Sequence, residues 1–185
     1  MNSFDISDAN SQASDDSDLE GEGPQLRKVL VIYTGGTIGM KPSERGYMPA
    51  PGYLSTLVRT LPMFHDEEAR YMIPSSLYTK KRGFGVPMIS PETDYKQRCC
   101  FRILDYDPLL DSSDMNHSHW GRIASDIVKY YDDFDAFLVL HGTDTMAFTA
   151  TALSFFLVNL KKTVVLTGSQ IPLCRPRNDG LMNLL

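Results

Sequence analysis

Three times in this chain an apolar run stops at a glycine flanked by hydroxyl side chains. The first is Lys28–Met40, KVLVIYTGGTIGM, where Val29, Leu30, Val31, Ile32 and Tyr33 lead into Thr34-Gly35-Gly36-Thr37. A short, β-branched run bounded by glycines reads as a strand buried on both faces. Paired glycines permit backbone angles and close approaches closed to other residues. Thr37 is therefore expected on a tight loop at the carboxyl end of a central strand, where open α/β sheets place their ligands. The second is Asp135–Leu140 running into His141-Gly142-Thr143-Asp144-Thr145, and the third is Thr163–Leu166 running into Thr167-Gly168-Ser169-Gln170. Loops at one edge of a parallel sheet converge, so these hydroxyls should line one pocket.

The elements between these runs fit a parallel sheet. Pro51–Leu61 reads as a short helix, with Leu54, Leu57, Val58 and Leu61 on one face. Met63–Gln97 is rich in proline and reads as loop with one or two short elements. Arg98–Tyr106 is a strand candidate ending at Asp107-Pro108. Ser118–Tyr131 is a helix with Ser118 as N-cap and a core stripe of Trp120, Ile123, Ile127 and Tyr131. Thr145–Leu160 is a helix apolar on most sides, expected to be buried against the sheet or a subunit partner. Asp179–Leu185 opens another helix, cut in mid-pattern like a truncated chain. Strand–helix alternation of this kind gives right-handed crossovers and an α/β fold. Lys41–Met48, between the Thr37 turn and the first helix, is polar and turn-forming: a mobile loop or loose hairpin with Tyr47 near its return, placed to act as a lid.

Charge and cysteine content exclude several classes. The chain has 185 residues and a formal net charge of -5. Residues 1–22 hold seven of the acids and no Lys or Arg, which leaves 16 acids against 18 bases elsewhere. A near-neutral body points to neither nucleic acid nor a charged membrane surface as partner. Residues 1–24, rich in Ser and Asp, are expected to be a disordered acidic tail, with 25–185 as the folded domain. Ser17-Asp18-Leu19-Glu20 has the spacing of an acid-directed phosphorylation site, but a solvated tail is the plainer reading. No secretory signal and no apolar stretch of about 18 residues is present. Cys99, Cys100 and Cys174 read as free thiols in a reducing compartment, and a cytoplasmic location is expected.

The chemistry on offer is hydroxyl plus carboxylate. Neither G-x-G-x-x-G nor a P-loop is present, G-x-S-x-G is absent, and His117-x-His119 lacks a third metal ligand. A threonine hydroxyl attacks poorly until a base or polarising partner takes its proton. Thr37, Thr143, Tyr47 and Asp144 are suited to supply a nucleophile, a relay and an orienting carboxylate. Asp111, Ser112 and Ser113 add donors and acceptors suited to an amino-acid head group. Backbone N–H groups at the glycine turns are suited to an oxyanion. Each threonine alone also reads as a cap or turn-former; three such loops together point to a site.

TGGTIGM, GYMP, DSSDM, HGTDTM and VVLTGSQ, in this order, resemble the threonine-nucleophile L-asparaginases of bacterial type I. LPMFHDEE at Leu61–Glu68 is similar to the animal, cytosolic members, also called 60-kilodalton lysophospholipase-like asparaginases. The resemblance covers about Lys28 to Leu185. It implies the parallel-sheet sandwich of the asparaginase N-terminal domain, with the smaller C-terminal domain absent from this chain. It implies cofactor-free hydrolysis of L-asparagine to L-aspartate and ammonia, by a homo-oligomer with an allosteric asparagine site. By motif, Thr37 matches the nucleophile and Tyr47 the lid tyrosine that activates it. Asp111, Ser112 and Ser113 match the segment holding the substrate α-carboxylate and ammonium. Asp144 matches the grip on that ammonium, and Thr143 the threonine that helps activate water or the nucleophile. The lysine that the family pairs with this threonine falls beyond Leu185, and Lys161 and Lys162 do not match it. Residues 1–185 alone are therefore expected to be nearly inactive and prone to associate. The rivals are a lysophospholipase-type lipid hydrolase, which needs an apolar groove that no stretch suggests, and an inactive truncated subunit.

Overall fold

The apolar run at Arg27–Gly35 forms the middle strand of the main sheet. The computed structural model describes residues 4–5 and 26–185. In chain order the strands are β1 (Phe4–Asp5), β2 (Arg27–Gly35), β3 (Lys41–Ser43), β4 (Gly46–Met48), β5 (Met88–Ile89), β6 (Cys99–Leu110), β7 (Ala136–Leu140), β8 (Leu157–Val158) and β9 (Thr163–Thr167). The helices are α1 (Tyr53–Thr60), α2 (His117–Lys129), α3 (Met146–Phe156) and α4 (Gly180–Leu184). The main sheet runs β5-β6-β2-β7-β9 and is parallel except for β5 at one edge. This is the α/β parallel-sheet architecture expected from the alternation of runs.

Alternation along the strands splits the core in two. Leu30 and Ile32 of β2, with Phe137 and Val139 of β7, face Ile123 and Ile127 of α2 and Leu153 and Phe156 of α3. Val31 and Tyr33, with Leu140, face Ile38, Leu54 and Val58 of α1, and Leu173. Side chains of successive strand residues point to opposite faces, so one nine-residue run serves both layers.

Several expectations are corrected. β6 continues through Asp107-Pro108 to Leu110 instead of ending at Tyr106. Its register with β2 jumps from Tyr33↔Asp105 to Gly35↔Leu110, so the exposed Pro108 sits where no ladder donor is required. The cap of α2 is Asn116, not Ser118: the Asn116 side chain accepts from the Ser118 N–H at 3.0 Å, and His119 Nδ1 accepts from the Asn116 N–H at 3.3 Å. Asn caps as well as Ser, and here the reciprocal pair is complete. α3 stops at Phe156, and it is not buried all round. Thr149, Leu153 and Phe156 face the sheet, whereas Phe148 and Phe155 are 65% and 73% exposed.

Lys41–Met48, read as loop or loose hairpin, is a hairpin of β3 and β4 with every residue exposed. β1 pairs in parallel with β8. The rest of the acidic tail, including Ser17–Glu20, lies outside the described residues. The three cysteines are free thiols. Among the described residues no helix is long and apolar enough to cross a membrane.

Candidate active site

Four loops meet at the carboxyl edge of the sheet. β2 delivers Thr37, β6 delivers Asp111–Ser113, β7 delivers His141–Thr145, and β9 delivers Gly168–Gln170. Their meeting is enforced by backbone contact. Gly36 has φ 89° and ψ 172°, a region open in practice only to glycine, and a Cβ on it would lie 2.6 Å from Gly142 Cα. A Cβ on Gly142 would lie 2.4 Å from Ser112 Oγ. The Thr37, Thr143 and Ser112 loops are thus packed with no room for a side chain at Gly36 or Gly142.

Hydrogen bonds complete the seam. Thr34 Oγ1 donates to the Leu140 carbonyl at 3.0 Å, tying the end of β2 to that of β7. Thr145 Oγ1 donates to the Ser112 carbonyl at 2.6 Å, tying the start of α3 to the turn after β6. The His141 N–H donates to the Thr167 carbonyl at 2.9 Å. The His141 ring is fully buried. Its Nδ1–H donates to the Gly142 carbonyl at 2.6 Å, so Nε2 accepts from the Thr149 hydroxyl at 2.9 Å. Burial pushes this imidazole below its ordinary range, which keeps it neutral.

Thr37 begins a short 3₁₀ turn, Thr37–Gly39, and is half-buried. Its carbonyl accepts from the Met40 N–H at 3.1 Å, and its hydroxyl has no hydrogen-bond partner among the described residues. Tyr33 lies directly beneath, its hydroxyl donating to the Gly36 carbonyl at 3.3 Å. Thr143 is half-buried, and its hydroxyl accepts from the Gln170 side-chain amide at 3.2 Å. Asp144 is exposed beside it. Ser112 is buried, whereas Asp111 and Ser113 are exposed. Asp111 accepts from the Ser113 N–H at 2.9 Å and from Ser113 Oγ at 2.8 Å, and these donors hold its carboxyl below the ordinary carboxylate range.

The structure therefore brings Thr37, Ser112, Ser113, Asp111, Thr143 and Asp144 to one edge on touching loops. It does not bring Tyr47 into hydrogen bonding with Thr37. Tyr47 stands on β4, 42% exposed, with the Arg175 guanidinium 6.0 Å from its ring centroid. Sequence reasoning assigned no role to Gln170, Thr145, His141 or Asp179. Gln170 was within reach of it, since it closes the third glycine loop; the others act through contacts formed only in the fold.

The family described as asparaginase, N-terminal, matches residues 28–185. L-asparaginase 1 of Escherichia coli strain K12 is 46% identical over 161 residues, which are 87% of this chain and 39% of that protein. The 60 kDa lysophospholipase of Homo sapiens is 44% identical over 164 residues, 88% of this chain and 27% of that protein. The crystal structure of L-asparaginase I from Vibrio cholerae superposes with a TM-score of 0.63 at 42% identity, covering 86% of this chain and 39% of that one. This chain thus spans well under half the length of these relatives. With the glycine-stacked loops and the sequence match in agreement over the same residues, the chain belongs to the asparaginase family through its N-terminal domain.

Proposed function

We propose that residues 25–185 are the N-terminal part of an amidohydrolase converting L-asparagine to L-aspartate and ammonia through a threonine acyl-enzyme. The observation that carries this reading is the backbone contact of Gly36 with Gly142, which fixes Thr37 and Thr143 on abutting loops. In the proposed reaction Thr37 Oγ attacks the side-chain amide carbon of asparagine. The hydroxyl proton leaves through Tyr47 once the β3–β4 hairpin closes, and ammonia departs with a proton. Water, activated by Thr143, then cleaves the aspartyl ester and restores Thr37. Asp144 pairs with the substrate ammonium, and Asp111, Ser112 and Ser113 hold its α-carboxylate and ammonium. No cofactor enters the scheme. A homo-oligomer with allosteric control in the cytoplasm belongs to the same reading.

Thr143 needs a partner to act as a base, and Lys161 and Lys162, the pair just before β9, do not supply it. Lys162 Nζ donates to the Phe134 carbonyl at 3.0 Å and to the Tyr131 carbonyl, and Lys161 is exposed. By the resemblance, the lysine that serves this threonine in the family matches neither of them. One observation favours a second reading. An apolar groove of about 440 Å³ runs over Val29, Val31, Phe101, Ile103, Leu138 and Leu140, where the sequence suggested none. None of Thr37, Tyr47, Thr143 or Asp144 lines it, so lipid hydrolysis there lacks a nucleophile from this constellation.

The test compares ammonia release from L-asparagine with fatty-acid release from a lysophospholipid. Both are measured on the 185-residue chain and on the same chain continued by the remainder of an L-asparaginase 1. Ammonia release by the continued chain alone is the expected result. Comparable turnover by the short chain overturns the missing-lysine reading, and fatty-acid release overturns the amidohydrolase. Asp144→Asn in the active form should cost about 2–5 kcal/mol of transition-state binding, read as kcat/KM, because it unpairs the substrate ammonium.

A further inference from the structure

The loop after β9 is held from outside the site by the segment leading into α4. The Asp179 carboxylate spans two consecutive backbone donors, accepting from the Gln170 N–H at 2.8 Å and the Ile171 N–H at 3.0 Å. Those two bonds hold its pKa below the ordinary carboxylate value. Asn183, one turn further on, donates its side-chain amide to the Gly168 carbonyl at 2.8 Å. Ser169, buried, closes the loop on itself by donating to the Ile171 carbonyl at 2.7 Å. With its backbone pinned on both sides, Gln170 has its side chain directed across the seam, and its amide N–H reaches Thr143 Oγ1 at 3.2 Å.

That bond has a definite chemical sense. An amide NH₂ only donates, so Thr143 Oγ1 must accept there. The hydroxyl hydrogen of Thr143 is then turned away from Gln170 and remains available to a base. A threonine free to rotate would place that hydrogen correctly only part of the time. Accepting from a fixed amide also polarises the oxygen, as chained hydrogen bonds do.

We propose that Asp179 is a positioning residue for Thr143, acting through Gln170. Asp179 fixes the Gln170 backbone, and Gln170 fixes the rotor of the Thr143 hydroxyl. This rests on the role of Thr143 proposed above. In this proposal Asp179 and Gln170 act through Thr143. Their effect falls on how often Thr143 is correctly aligned.

The experiment uses the 185-residue chain and its active, continued form, each with Thr143 labelled in its methyl group. Asp179→Ala, Gln170→Ala and the double variant are compared by methyl NMR and by ammonia release, with Asp179→Asn as the conservative change. The Thr143 methyl resonance should shift the same way in both single variants and no further in the double. In the active form kcat should fall about tenfold in each single variant, with KM within about twofold and no added loss in the double. Asp179→Asn, which keeps one acceptor oxygen, should recover part of both readouts. An unmoved Thr143 methyl in Asp179→Ala, or losses that add in the double variant, overturns the proposal. Coupled methyl shifts without any ammonia release from the continued parent would sustain the positioning and sink the amidohydrolase reading instead.

Discussion

The two sides of the candidate site are built on opposite principles. On one side, the loops after β2, β6, β7 and β9 are in close contact, with Gly36 against the Gly142 backbone, Gly168 against the His141 carbonyl and Gly142 against the Ser112 side chain. On the other, the β3–β4 hairpin carrying Tyr47 is exposed along its whole length, and Gly46 has nothing within 4 Å of an added Cβ. A nucleophile and its partners must be held within a fraction of an ångström, and the proposed ones, Thr37 and Thr143, stand on this close-packed wall. The hairpin proposed as a lid has few buried contacts, which means a low cost of opening. Both sides use glycine at positive φ, but for different ends: Gly36 for close approach and Gly46 for a turn.

The comparison is sharpened most by Thr37. Thr37→Ala in the active form should remove acyl-enzyme formation, with turnover down by about 10⁴-fold or more, while the urea midpoint moves little, because the wall is held by its neighbours. Thr37→Ser should keep part of the activity. An adduct on Thr143 after treatment with a substrate analogue, seen by mass spectrometry, would reverse the assignment of the two threonines.

Gly36→Ala is the next largest effect and falls on stability. The new Cβ meets Gly142 backbone at 2.6 Å at a φ of 89°, and neither partner is a side chain that can swing aside. A loss of about 3 kcal/mol or more is expected, read as the urea midpoint. A loss under about 1 kcal/mol would mean the two loops part easily, and the rigid wall is then no wall.

A smaller effect comes from His141, and its sign follows from burial. Its folded-state pKa is depressed below the ordinary 6.5. As pH falls through about 6.5 the unfolded chain gains a proton that the folded chain refuses, so stability is full above this range and declines below it. Urea midpoints at about pH 7.5 and pH 5.5 should therefore differ more in the parent than in His141→Gln. An equal decline in both would place the pH sensitivity elsewhere.

Gly46→Ala closes the series. Its strain at φ 108° meets open space, so about 1 kcal/mol or less is expected. If the midpoint drops as far as in Gly36→Ala, the hairpin is part of the core and the contrast between the two sides fails.

Much of the wall was legible along the chain. Short continuous apolar runs ending in glycine are a local signal, and β2, β7 and β9 appear where such runs stand. Boundaries failed where a local rule met a tertiary exception. Pro108 looked like a terminator, but β6 bypasses it because the register with β2 jumps there. The apolar α3 looked buried all round, but it packs by one face, and Phe148 and Phe155 remain outside.

The sequence by itself determined the alternation of strand and helix, the three glycine loops and the identity of Thr37, Thr143 and Asp144 as the residues those loops carry. Each is encoded within a few neighbouring residues, through backbone freedom at glycine and the spacing of apolar side chains. Only the tertiary structure decided that β7 lies between β2 and β9. From that order follow the contact of Gly36 with Gly142, the reach of Gln170 to Thr143 and the grip of Asp179 on Gln170, while Tyr47 lies beside Arg175 on its exposed hairpin. Those contacts join residues far apart in the chain, and no local preference specifies them. They exist because the buried faces of the strands admit one packing order, and the loop ends meet where that order puts them.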